Sequence, residues 1–148
     1  MRILKFSLAI CAVLAAPAAL SHSGVKDPQV LLRMNVMSDI GKDMKLVGDM
    51  AKGAVAFDVA ELQAVSASLV GHAQQTVITF QSEASDPRSE ALPAIWTEWD
   101  AFVALSARME QASADLGKVK DLDGLRANLS ALGKTCTACH EKYRINKN

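Results

Sequence analysis

Apolar residues recur every three or four positions through most of this chain, the spacing that lays one side of an α-helix against a core. From about Asp27 to Ala51 that spacing is kept by Val30, Met34, Met37, Met44 and Val47, and Gly53 marks the end. A second segment opens at Asp58, where Asp58 and Glu61 have the spacing of a capping box, and continues to about Glu83. Ser85-Asp86-Pro87-Arg88 breaks the pattern. A third segment begins near Pro93, acceptable in a first helical turn, and runs through Trp96, Trp99, Phe102, Leu105 and Met109 to about Leu116, where Gly117 closes it. The fourth opens at Asp121 or Asp123, carries Leu125, Leu129 and Leu132, and fades past Arg144. No β-branched alternation lasts long enough to predict a strand. Four helices of roughly 20 to 25 residues, about 30 to 38 Å long at 1.5 Å per residue, with short connections, predict an all-α fold: an antiparallel up-down four-helix bundle.

The first residues have a different pattern. Arg2 and Lys5 precede an uncharged apolar run from Phe6 to Leu20 that ends in small residues, the layout of a secretory signal peptide. Its 15 residues fall short of the roughly 20 that a membrane-spanning helix needs, so stable membrane insertion is not expected. Residues 1–21 are expected to be cleaved, taking Cys11 with them and leaving residues 22–148 as one domain. Arg2 and Lys5 are two of the 16 basic residues, against 16 acidic ones, so the mature chain carries a net charge of about −2. That balance gives no electrostatic case for binding nucleic acid.

The two cysteines that survive processing lie in Cys136-Thr137-Ala138-Cys139-His140. On a helix, residues three and four apart share a stripe, so both thiols and the imidazole project from one face. C-x-x-C-H in an exported chain is the haem c attachment signature: two thiols add across porphyrin vinyl groups, and the histidine binds the iron. A structural zinc site would want a second ligand pair, and a thioredoxin-like motif would follow a strand. An exported Cys136–Cys139 disulfide is chemically possible as well. Many would-be core positions are alanine, and either a bound group fills the space between helices or the helices pack closely; composition leaves both open.

A haem iron held by His140 has a second axial position. Nothing after His140 can fill it, since the tail lacks Met and His; the candidates are Met34, Met37, Met44, Met50, Met109, His72 and His22. Met37 shares its stripe with Arg33 and Gly41, and a glycine there would let a flat ring approach the backbone. Core filling is the competing reading for the methionines. For His72 a surface or hydrogen-bonded role competes with ligation.

The C-terminal C-x-x-C-H, Arg33-Met34-Asn35-Val36-Met37 in the first helix, Ile95-Trp96 with Phe102, and the closing Cys-His-Glu-Lys-Tyr-Arg resemble the cytochrome c′ family, the class II c-type cytochromes. The resemblance implies one covalently bound haem c, enclosed by the bundle and held by Cys136 and Cys139. It also puts the residue four after Arg33 on the distal side of the ring. High-spin members carry a non-ligating residue there, low-spin members a methionine; Met37 therefore implies Met37/His140 ligation of the iron. Arg33 is expected beside a propionate, and Arg144 near the haem edge or the helix end. The expected function is periplasmic electron transfer with transient redox protein partners, without enzymatic activity; high-spin-like capture of nitric oxide or carbon monoxide is the alternative. The sequence does not choose between monomer and homodimer.

Overall fold

Three of the four long helices start at an aspartate. Asp27 accepts the backbone N–H groups of Gln29 and Val30 at 2.8 and 3.0 Å, Asp58 that of Glu61 at 2.9 Å, and Asp121 that of Gly124 at 2.7 Å. A side-chain oxygen here satisfies N–H groups that have no partner within the helix, worth about 1 kcal/mol each. The computed structural model describes residues 24–146, so the leader expected at 1–21 lies outside them. The helices are α1 (Pro28–Lys52), α2 (Val59–Phe80), α3 (Ala94–Thr97), α4 (Trp99–Leu116) and α5 (Leu122–Tyr143). α1 stops at Gly53, whose φ of 76° is left-handed and whose N–H reaches the Met50 carbonyl at 3.0 Å.

The four-helix bundle stands, with two changes from the sequence reading. The third predicted helix is two, because Glu98 leaves the helical region at φ −123° and ψ 40°. Trp96, before the break, donates its indole N–H to the Phe80 carbonyl at the end of α2. Glu98 itself pairs with Lys142 and accepts the Tyr143 hydroxyl at 3.3 Å, both on α5. The break lets the short α3 satisfy both neighbours. α2 ends at Phe80 instead of Glu83, because Arg33 of α1 takes up carbonyls at its last turn and just beyond: Thr79 at 3.0 Å, Ala84 at 3.0 Å, and Ser82.

Two apolar clusters form the core. An aliphatic one joins Val47, Met50, Leu62, Leu69, Leu116 and Leu132, all fully buried. An aromatic one joins Phe80, Ile95, Phe102 and Tyr143, with Phe102 5.2 Å from Phe80 and edge-on to Tyr143 at 5.5 Å between ring centres. Met37 packs against both. α2 and α4 meet closely, α1 packs on α2, and α1 and α5 touch far more sparsely. Among the described residues no helix is long and apolar enough to cross a membrane.

Candidate functional site

Where α1 and α5 stand apart, a cavity of about 780 Å³ opens between them, within the ~300–1,000 Å³ usual for small-molecule and cofactor pockets. On α5 its wall is Gly133, Cys136, Cys139 and His140; on α1 it is Met34, Met37, Gly41 and Met44. α4 adds Leu105 and Met109, and residues 88–91 with Arg144 edge the mouth. The i, i+3, i+4 spacing predicted for the cysteines and histidine holds, since α5 is unbroken from Leu122 to Tyr143.

The cavity suits a flat apolar group with two covalent anchors. A Cβ added at Gly41 or at Gly133 would meet nothing within 4 Å, so each wall offers a place where a ring can lie against bare helix. Both thiols are free, half-buried and on one face. Burial pushes the Cys136 thiol up; burial and then the neighbouring Cys136 push Cys139 up to about 11. Neither is a ready thiolate at neutral pH, which weighs against a reactive redox pair. No cluster of three or more His, Cys, Asp or Glu able to hold a metal exists among the described residues, which weighs against structural zinc. His140 is lowered, first by desolvation and then by Arg144, with Glu90 acting the other way. A neutral imidazole is the form that ligates a metal.

The structure thins the set of distal candidates. Met34, Met37, Met44 and Met109 border the cavity. Met50 is fully buried in the aliphatic core. His72 lies apart, between Ser68 at 3.2 Å and Asp43 at 3.6 Å, where α2 meets α1. His22 falls outside the described residues.

Arg33 does reach the cavity's edge, but its guanidinium has structural work. It is 2% exposed, donates to three carbonyls at and just past the end of α2, and lies 4.9 and 5.0 Å from the ring centres of Phe80 and Trp96. Its pKa is lowered by burial, with Asp27 opposing, and an arginine stays charged there all the same. Arg144 pairs with Glu90 at 2.6 and 2.7 Å and meets Ala91 in an isolated antiparallel bridge. Sequence reading missed the loop that carries these partners. Ser85-Asp86-Pro87-Arg88 read as a chain break, whereas Asp86 is a buried organiser. Its carboxylate accepts the N–H groups of Lys26 at 2.8 Å, Asp27 at 3.1 Å and Arg88 at 2.8 Å. An aspartate two residues before Arg88 is the Asx-turn signal that could have found it.

The sequence model of the family described as Cytochrome C′ matches residues 29–144. Cytochrome c-556 of Rhodopseudomonas palustris is 29% identical over 140 residues, covering 89% of this chain and 94% of the relative. Cytochrome c′ of the same organism is 28% identical over 117 residues, 78% of this chain and 80% of the relative. A solved structure of cytochrome c′ from Rhodopseudomonas palustris superposes with a TM-score of 0.76 at 26% identity, covering 83% of this chain and all of that one. With the match spanning every helix, the chain belongs to the cytochrome c′ family, whose covalent haem c agrees with the Cys136–His140 motif on α5.

Proposed function

We propose that this family member is a six-coordinate electron carrier of the periplasm, meeting other redox proteins briefly through small interfaces. The observation that carries the reading is the cavity with Met37 on its α1 wall and Cys136, Cys139 and His140 on its α5 wall. Bound haem c supplies a one-electron iron couple. Cys136 and Cys139 would anchor it through thioethers, and His140 and Met37 would both ligate the iron, leaving no open site for a substrate. Met37 packs against apolar residues of both core clusters, which supports a thioether held in place at the cavity wall. A ligand set that stays put between oxidation states keeps reorganisation small, which favours electron transfer over chemistry at the metal. The relatives carry both c-556 and c′ names, which supports a haem protein of this family. The apolar leader at 1–21 supports export.

Met37→Leu tests the reading. Produced in a host competent for cytochrome assembly, the wild type is expected to show a low-spin spectrum. The variant is expected to be five-coordinate and high-spin, and to bind carbon monoxide readily. A low-spin spectrum that survives the substitution would assign the ligand elsewhere. A high-spin wild type would favour gas capture at an open distal position.

A further inference from the structure

We infer that Arg88, at the mouth of the cavity, is the cation that pairs with a haem propionate, in place of Arg33. The inference rests on the haem reading above and refines it. Three arginines border the cavity: Arg33, Arg88 and Arg144. Arg33 is buried, spends three N–H groups on carbonyls and is wedged between Phe80 and Trp96. Arg144 is bound to Glu90 through two nitrogens. Arg88 alone of the three is exposed without a carboxylate partner among the described residues.

Its place is nonetheless fixed. The Arg88 N–H is held by Asp86, whose other oxygen holds the start of α1, so the loop bearing Arg88 is tied to the wall bearing Met37. Gly24 leaves the side chain room: a Cβ there would come within 3.4 Å of Arg88 Nη2, and the φ of 97° disfavours any other residue. The two propionates of haem c lie on the ring edge opposite its two thioether positions. With the thioethers on α5, a propionate at the mouth needs a donor fork there, and a guanidinium suits a carboxylate in two-point contact.

The test reads the propionates themselves. Haem-loaded wild type, Arg88→Gln and Arg88→Lys are prepared with isotope-labelled propionate carboxyls and titrated by NMR. The other charged or titratable groups at the rim, Arg33, Glu90, His140 and Arg144, are common to all three proteins. Arg88→Gln is expected to raise one propionate's proton affinity by roughly three- to tenfold, at or below the low end of what an opposite charge within ~4–6 Å does, because Arg88 is exposed. Arg88→Lys should recover most of that shift. If both propionates of a fully loaded Arg88→Gln titrate as in wild type, the assignment is wrong. A colourless wild type would instead overturn the haem reading beneath it.

Discussion

The bundle has two seams that solve opposite problems. Between α2 and α4 small buried residues, Ser66, Ala73, Ser106 and Ser113, sit among larger ones such as Leu69 and Phe102. Ser106 donates to the Ala73 carbonyl at 2.7 Å, and a Cβ on Gly117 would lie 3.2 Å from that of Ser66. Helices with such faces can approach until their backbones nearly meet, and the seam fills itself. Between α1 and α5 the glycines have open space instead, methionines line the gap, and the cavity remains. The two seams thus differ in what crosses them, since Arg126 of α5 reaches the Ala51 carbonyl of α1 at 3.1 Å only away from the cavity. In α2–α4 a hydroxyl reaches the facing backbone; in α1–α5 both walls are set back. Alanine and glycine in a core therefore say little about a binding site until it is known which helices they separate.

Arg33 is where the frame of the open seam can be broken most completely. It fastens α1 to the end of α2 at the cavity's edge, with its guanidinium between two rings. Arg33→Ala leaves part-buried carbonyls without their donor and removes hydrogen bonds to a charged group worth ~1.5–3 kcal/mol each, so a loss of about 3 kcal/mol is expected. Urea unfolding of the haem-loaded protein measures it. An effect within 1 kcal/mol, on the order of an ordinary surface change, would show that the carbonyls find other donors.

Bulk added to each seam should act with opposite sign. Ala73→Leu crowds the closed one, where Ala73 is 1% exposed, and should cost about 1–3 kcal/mol in the same assay. An unmoved midpoint would mean the seam has slack. At Gly41 a Cβ meets no neighbour, so Gly41→Leu improves helix propensity by up to about 1 kcal/mol, yet its side chain narrows the cavity. It should keep the helical signal while lowering the haem content per protein. Full haem loading with an unchanged spectrum would place the ring away from Gly41.

These contrasts also mark what the chain discloses before folding. The helices were legible because apolar spacing and aspartate caps are local: Asp58 with Glu61 read as a start and is one. The α5 wall was legible for the same reason, since Cys136, Cys139 and His140 lie within five residues of one helix. Met37 needed more than spacing, because Met34, Met44 and Met109 border the cavity too and only the family resemblance singled it out. The kink at Glu98 and the engagement of Arg33 were not legible. Both depend on partners 44 to 51 residues away, joined only in the folded bundle. The loop at 85–88 was half-legible: its turn residues announced a break but not the anchoring role of Asp86.

Asp86 sharpens the comparison with the smallest expected effect, because it holds the mouth of the open seam without lining it. Its carboxyl pKa is held below the usual aspartate range, first by the Arg88 N–H and then by those of Lys26 and Asp27. A group whose folded pKa lies below its unfolded one adds stability above the unfolded value, near pH 4, and loses it as pH falls through the folded value. Wild type should therefore be more stable than Asp86→Asn at pH 7, with the gap in thermal midpoint narrowing steadily below about pH 4. Changes at His140 or its iron in acid are shared by both proteins and drop out of the difference. Ala73→Leu alters no titratable group, so it should show the same deficit relative to wild type across that range. An Asp86→Asn gap that stays constant from pH 7 to pH 3 would mean the loop is held by the shape of the turn and not by the carboxylate's charge.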